Sequence, residues 1–113
     1  MPNKTEDVVR DEVGKLLDLK NSSDIQAGVG QITTFNQLGI TGINDKPDGW
    51  YLPYDKTKPA LILECKAEQV DITTRRCVTE IKKNCRVLLD AGYERVFGLL
   101  TNGKKSLGFM NNE

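Results

Sequence analysis

Residues 46–66, KPDGWYLPYDKTKPALILECK, contain the pattern that decides the fold. Two short runs, 50–54 and 60–66, are separated by the polar connector DKTKP, which has the length of a hairpin loop. The second run, ALILECK, is the strongest strand signal in the chain, because a short apolar run bounded by turn residues is typical of a buried central strand. The sequence therefore predicts a hairpin whose strand 60–66 lies at the centre of a sheet.

Two amphipathic segments flank this hairpin. Residues 5–19 carry apolar side chains at three-to-four spacing, and residues 72–91 repeat that pattern and end at Gly92, so each predicts a helix. Further strands are predicted within 29–35, at 95–100 and at 107–110. A helix between two consecutive strands makes those strands parallel, with a right-handed connection. The expected class is α/β (α+β): a mixed sheet flanked by helices, in the order α-β-β-β-α-β-β.

The composition excludes several classes of function. The chain has 113 residues, 16 basic and 16 acidic side chains, and no histidine. This length predicts a single domain over residues 1–113. A net charge of zero argues against a histone-like binder of nucleic acid. The lack of histidine excludes Ser-His-Asp hydrolases, Cys-His hydrolases and HExxH zinc enzymes.

The cysteines and the hydropathy indicate where the chain functions. Cys65, Cys77 and Cys85 are odd in number and form no CxxC pair, so neither a disulfide framework nor a zinc site is expected. Free thiols suit a reducing compartment. No run approaches the roughly 18 apolar residues of a membrane span, and the N-terminus lacks the apolar stretch of a signal peptide. We expect a cytoplasmic protein with no membrane partner.

Three ionisable residues occupy unusual positions around the hairpin. Glu64 and Lys66 interrupt the end of the apolar strand 60–66, and side chains two residues apart in a strand share a face. Asp48 lies in the turn that opens strand 50–54. In a hairpin, the start of the first strand lies beside the end of the second. The sequence therefore predicts that two carboxylates and an ammonium group converge at one edge of the sheet.

These groups suit phosphodiester hydrolysis without histidine. Two nearby carboxylates repel each other unless a cation or a proton lies between them. Oxygen ligands favour Mg²⁺ (or Mn²⁺), which typically takes one or two carboxylates and keeps several waters. An adjacent lysine can orient or deprotonate a water, or neutralise charge developing on a phosphate. The structural alternative is a simple ion pair between Glu64 and Lys66 at the edge of the sheet.

The motif Pro47-Asp48, followed by Glu64-Cys65-Lys66 at the end of an apolar strand, resembles the PD-(D/E)xK motif of restriction endonuclease-like nucleases. In element order the chain is similar to the N-terminal nuclease domain of type I restriction enzyme R subunits. The resemblance implies a restriction endonuclease-like core and Mg²⁺-dependent cleavage of DNA. It also implies that Asp48 and Glu64 hold the metal with the Cys65 carbonyl as a further ligand, and that Lys66 positions the attacking water.

The same subgroup carries a functional glutamate on its first helix, in a pattern like E-x-x-V-R. Residues 6–10, EDVVR, match it and assign Glu6 to the site, while Glu12 also borders the apolar face of that helix and is the alternative. Many relatives carry Q-x-x-x-Y on the second helix, where residues 80–84 read EIKKN. Since the superfamily domain usually continues with more helix, the chain is expected to be a fragment or a trimmed core. DNA and other subunits or domains of a restriction complex are the implied partners.

Alternative interpretations of the function and of two surfaces stay open. The chain is either a nuclease or a non-catalytic module of the same fold that serves DNA binding or assembly in a larger complex. The cations on one side of the second helix form either a phosphate-tracking surface or a solvated outer face: Arg75, Arg76, Lys82, Lys83 and Arg86. Trp50, Tyr51 and Tyr54 either stack on bases or pack within the hairpin.

Overall fold

In the computed structural model, which describes residues 2–112, the chain forms a five-stranded mixed sheet with one α-helix on each face. The elements are α1 (Glu6–Leu16), β1 (Ile25–Val29), a short 3-10 turn (Asn36–Leu38), β2 (Gly49–Pro53), β3 (Ala60–Cys65), α2 (Arg75–Asp90), β4 (Arg95–Thr101) and β5 (Ser106–Asn112). Thr5 and Thr74 cap the two helices, each by accepting a backbone amide with its side chain. The predicted α+β class and element order are confirmed.

The strands lie side by side in the order in which they occur in the chain. β3 and β4 are parallel and are joined through α2, whereas all other neighbouring strands are antiparallel. β3 is therefore the central strand, as predicted, although it ends at Cys65 and Lys66 follows it. In the β2–β3 register Gly49 is opposite Leu63, so Asp48 and Glu64 are the next residues beyond that pair.

The first strand is the one misplaced element. It was predicted within residues 29–35 but spans Ile25–Val29, and the chain leaves the sheet at Gly30. A Cβ atom on Gly28 would lie only 3.0 Å from the Trp50 ring, so this glycine lets the indole of the neighbouring strand pack against β1. A glycine-containing strand of this kind gives a weak local signal, because its packing depends on a residue far along the chain.

The two faces of β3 belong to two different apolar cores. Ala60 and Ile62 pack in the larger core beneath α2, whereas Leu63 and Cys65 pack with Val9 in the smaller core beneath α1. This alternation is expected of a strand covered on both faces. All three cysteines are buried free thiols. Within residues 2–112 no helix is long and apolar enough to cross a membrane.

Candidate active site

Charged side chains from both helices gather at the carboxyl end of β3. We call this group the carboxylate cluster; it consists of Glu6, Asp7 and Arg10 from α1, Asp48 from the loop before β2, Glu64 and Lys66 from the end of β3, and Glu80 and Asn84 from α2. The cluster has five carboxyl groups but only two cationic side chains. Its composition therefore favours a cationic ligand.

Asp48 is buried, and protein donors already occupy both of its carboxylate oxygens. Its Oδ1 accepts hydrogen bonds from Arg10 Nε at 2.9 Å and Arg10 Nη2 at 2.6 Å. Its Oδ2 accepts the backbone amide of Cys65 at 2.8 Å. The Asp48 amide in turn donates to the Leu63 carbonyl at 3.1 Å. Asp48 thus continues the β2–β3 ladder beyond its last backbone pair.

Arg10 is the residue that ties α1 to this end of the sheet. Its side chain is 5% exposed, and besides Asp48 it binds Glu6 Oε2 at 2.8 Å and also Asp7. Burial alone would lower the pKa of Arg10, but hydrogen bonds to Asp48 and Asp7 outweigh it and raise the pKa. The sequence alone predicts no role for Arg10. The available signal was a cation one turn after Glu6, next to the apolar residue Val9.

The geometry separates the two candidate glutamates of α1. Glu12 pairs with Lys4 at 2.9 Å on the surface, with 54% of its side chain exposed. Glu6 instead lies beside Arg10, and its pKa is raised mainly by burial and by the charge of Asp48. The structure therefore brings Glu6, and not Glu12, to the carboxylate cluster.

Glu64 is buried on the α2 side of the sheet. Its Oε1 accepts a hydrogen bond from Asn84 Nδ2 at 3.1 Å, and its Oε2 lies 3.8 Å from Lys66 Nζ. Burial, followed by the negative charge of Asp48 and the neighbouring Glu80 carboxyl, raises the pKa of Glu64 to about 9. With no bound cation, the Glu64 carboxyl therefore keeps its proton at neutral pH.

Asp48 and Glu64 meet at the end of the sheet but are held by different helices. Arg10 of α1 binds Asp48, whereas Asn84 of α2 binds Glu64. The register places the two residues just past the Gly49–Leu63 pair, at the same end of the β2–β3 ladder. The sequence predicted the shared edge, but not that each carboxylate would be anchored from its own face of the sheet.

Lys66 lies immediately beyond β3, where its amide donates to the Thr101 carbonyl at 2.9 Å. Its Nζ is 3.1 Å from Glu80 Oε2 and 3.8 Å from Glu64 Oε2. Burial alone would lower the pKa of Lys66, but the hydrogen bond to Glu80 and the nearby carboxylates outweigh burial and raise it. Lys66 is thus held as an ammonium ion beside Glu64.

Glu80 and Asn84 are the residues that sequence reasoning left without a role. They lie one helical turn apart on α2, and they contact Lys66 and Glu64, respectively. The missed signal was their position: Asn84 is 5% exposed and lies in line with the buried Ile81 and Cys85. A polar side chain on the buried side of a helix needs a partner inside the protein, which applies to Asn84, whereas Glu80 has 42% of its side chain exposed.

Cys65 contacts the carboxylate cluster through its backbone and not through its sulfur. Its side chain packs in the core beneath α1, and burial raises the pKa of the thiol to about 12, so a metal-binding thiolate is disfavoured. The Cys65 amide is already bonded to Asp48. A ligand role for its carbonyl oxygen stays a prediction.

The donor set fits Mg²⁺ or Mn²⁺ better than zinc. Within the described part of the chain, no three His, Cys, Asp or Glu side chains are arranged to surround one ion. Mg²⁺ needs fewer protein ligands, since it commonly binds one or two carboxylates and retains water. Glu64, whose Oε2 lies 3.8 Å from Lys66 Nζ, is a buried carboxyl group of this kind, whereas both oxygens of the adjacent Asp48 already accept hydrogen bonds from Arg10 and the Cys65 amide. A cavity of about 400 Å³ lined by Lys66 and Glu80 opens next to them.

The structure shows the surroundings of the α2 cations and of the hairpin aromatic residues, for which the sequence allowed two interpretations each. On α2, Lys83 pairs with Asp45 at 3.3 Å and Arg86 with Asp90 at 2.9 Å, as in a solvated outer face. Trp50 is a core residue, whereas Tyr54 is 65% exposed and lies past the end of β2 opposite to Asp48.

Comparisons of this chain with protein-family models, with curated proteins and with solved structures found no match.

Proposed function

We propose that this chain is a Mg²⁺-dependent nuclease of the PD-(D/E)xK type that hydrolyses phosphodiester bonds in DNA. The observation that carries this proposal is the arrangement at the end of the central strand, where Glu64 and Lys66 lie beside each other and next to Asp48. The carboxylate cluster has more carboxyl groups than cationic side chains, which supports a bound divalent cation that would balance the negative charge. The motif spacing supports a cytoplasmic restriction–modification system similar to type I R subunits, acting with other subunits or domains.

Asp48 and Glu64 would hold the metal, with the Cys65 carbonyl as a further ligand. A bound Mg²⁺ supplies Lewis-acid stabilisation of the charge that develops on the phosphate. The protein keeps Asp48 in place through Arg10 and the Cys65 amide, and it keeps Glu64 in place through Asn84. Such fixed ligands lower the cost of reorganisation when the charge develops.

Lys66 acts on the chemical step as a compact cation. Its ammonium group lies 3.8 Å from the Glu64 carboxyl and is anchored by Glu80 at 3.1 Å. From that position it orients the attacking water and offsets negative charge on the phosphate. The raised pKa of Lys66 favours this cationic role over a role as a general base.

Glu6 acts from the opposite side of the cluster. It shares Arg10 with Asp48, with an Arg10 Nη2–Glu6 Oε2 distance of 2.8 Å. Its remaining acceptor capacity faces solvent, since its side chain is 44% exposed. Glu6 would therefore order water around the metal and not replace Asp48 or Glu64 as a direct ligand.

A plasmid-nicking assay with Mg²⁺ and with EDTA tests the proposed function. We expect nicking by the wild-type protein only with Mg²⁺, and none by Lys66→Ala. Lys82→Ala is the matched control, because it removes the same charge from an exposed position of α2, where Lys82 Nζ lies 5.5 Å from the centre of the Phe109 ring. Metal-independent nicking, or equal nicking by wild type and Lys66→Ala, would reject the proposal.

The second candidate function is a non-catalytic module for DNA binding or assembly. The observation that favours it is the saturation of Asp48, whose two oxygens already accept three hydrogen bonds from Arg10 and Cys65. In such a module Arg10 would permanently replace the metal. Titration calorimetry separates the two candidates: Mg²⁺ or Mn²⁺ binding that Glu64→Gln abolishes supports the nuclease, and no binding supports the module.

A further inference from the structure

The turn between β4 and β5 lies directly beside the carboxylate cluster. Its first residue, Thr101, accepts the backbone amide of Lys66 at 2.9 Å. On its other side, a Cβ atom on Gly103 would be 3.4 Å from a methyl group of Val9 in α1. The turn therefore borders the cluster from the side of both β3 and α1.

Buried polar side chains hold this turn in one shape. Asn102, 7% exposed, accepts the amides of Lys104 at 3.0 Å and Lys105 at 2.8 Å with its Oδ1, and it donates from Nδ2 to the Val70 carbonyl. Thr101 Oγ1 accepts the amide of Gly103 at 3.0 Å. A positive φ of 86° at Gly103 completes the turn. These bonds fix the backbone from which the two exposed lysines project.

The charges of these two lysines are only weakly compensated. Lys104 Nζ lies 3.8 Å from Glu68, and Lys105 forms no salt bridge with any residue of the described range 2–112. On α2, by contrast, Lys83 and Arg86 form closer pairs with carboxylates. Uncompensated cations next to the candidate site are better placed to bind a polyanion than cations already paired on an outer face.

A hydrogen bond connects the turn to the cavity of the site. Asn102 donates from Nδ2 to the Val70 carbonyl at 2.8 Å. Val70 lines the same cavity of about 400 Å³ as Lys66 and Glu80. A chain of phosphates passing the cavity would therefore pass beside the turn that carries Lys104 and Lys105.

We propose that the β4–β5 turn is the DNA-backbone contact of this protein, with Lys104 and Lys105 binding phosphates that flank the one at the carboxylate cluster. The inference rests on the proposed function for the identity of the ligand, which is duplex DNA. A cluster rich in carboxyl groups repels DNA, so cations outside it must draw the backbone in. Lysine contacts to phosphate release counterions and carry no base specificity.

Salt-dependent binding of a fluorescent DNA duplex in EDTA tests the proposal by anisotropy. The variant Lys104→Ser/Lys105→Ser is compared with Lys82→Ser/Lys83→Ser, which removes two positive charges from the α2 face. Each lost phosphate contact lowers the slope of log K against log salt by about 0.9. We expect the turn variant to lower the slope by about 1.8 and the α2 variant to leave it unchanged, with both variants melting at the wild-type temperature.

The outcomes separate this inference from the proposed function. A smaller slope of log K against log salt in the turn variant alone supports the inference. This holds even if the wild-type protein does not nick plasmid with Mg²⁺ and the nuclease proposal is rejected. An equal loss in both variants, a loss confined to the α2 variant, or no measurable binding by the wild-type protein would each overturn the inference.

Discussion

The carboxylate cluster has two halves that are built differently. On the α1 side, Arg10 binds Asp48 at 2.6 and 2.9 Å, and every buried polar atom of the pair has a partner. On the α2 side, Lys66 lies 3.8 Å from Glu64, and that carboxyl group is protonated because its pKa is raised to about 9. The α1 half is a closed ion-pair network, whereas the α2 half holds a carboxyl group that can still gain a charge.

This difference assigns separate tasks to the two halves. A closed network of buried ion pairs is costly to break and keeps its geometry, which suits a scaffold. A buried, protonated carboxyl group changes its charge when a cation arrives, which suits chemistry. We therefore expect loss of Arg10 on the α1 side to affect mainly stability, and changes on the α2 side to affect mainly activity and the response to pH and metal.

The largest effect is expected on the α1 side. Arg10→Met removes a buried cation and leaves Asp48 buried without its partner, which should lower the free energy of unfolding by about 3–5 kcal/mol. The control is Arg86→Met, which breaks the exposed pair with Asp90 and should cost about 0.3–0.5 kcal/mol. Denaturant unfolding measures both. Similar small losses in the two variants would contradict a scaffold role for the α1 half.

The next effect is on the rate of DNA cleavage. Lys66→Ala should slow it by about 100-fold or more, the scale of a group that acts on the chemical step. Lys66→Arg should also be poor, since a planar guanidinium does not replace a compact ammonium. Both variants should melt near the wild-type temperature. A lower melting temperature with unchanged cleavage would instead make Lys66 a structural partner of Glu64.

The pH dependence of stability provides a third test, on Glu64. Its pKa is about 9 in the folded protein without metal and near 4.5 when unperturbed, so unfolding releases a proton between these values. The free energy of unfolding should therefore fall as pH rises through this interval, by at most about 1.4 kcal/mol per pH unit.

Glu64→Gln should flatten this decline, and Mg²⁺ should oppose it in the wild type by binding the ionised carboxylate. Thermal melting from pH 5 to about pH 9, with EDTA and with Mg²⁺, measures both effects. An unchanged slope in Glu64→Gln would show that Glu64 ionises normally in the fold and would remove the contrast between the two halves.

The smallest effect is expected at Glu80. Glu80→Gln keeps an oxygen that accepts from Lys66 but removes a negative charge, so we expect cleavage to fall by less than about 10-fold, short of the loss of a catalytic group. Glu80→Ala loses the acceptor and should be slower than Glu80→Gln. Single-turnover rates distinguish them. If Glu80→Gln were as slow as Lys66→Ala, the carboxylate itself and not its hydrogen bond would be required.

Most of the fold is predictable from the sequence because its signals are local. The run ALILECK predicts β3 as a buried central strand, and the apolar spacing predicts both helices to within a few residues at their ends. The position of β1 is not predictable in this way, because Gly28 has no side chain that would add to a strand pattern. The reason for a glycine at this position is the ring of Trp50, which packs against it from the neighbouring strand.

The candidate site also contains some residues that can be predicted from the sequence and others that cannot. Asp48, Glu64 and Lys66 are recognisable because they interrupt or border one hairpin. Arg10, Glu80 and Asn84 are not, because their partners lie 38, 14 and 20 residues away in the chain. Which polar residue on a helix faces such a partner is decided by how the helix packs on the sheet, and one sequence does not contain that information.

One hydrogen bond links the site to the folding of the hairpin. The Cys65 amide donates to the Asp48 carboxylate, so the last rung of the β2–β3 ladder is a side chain where a backbone carbonyl would otherwise stand. We therefore expect strand registration and assembly of the cluster to be coupled. Fraying of this end of the hairpin would separate Asp48 from Glu64, so hydrogen exchange at the Cys65 amide reports the fraction of molecules in which the site exists.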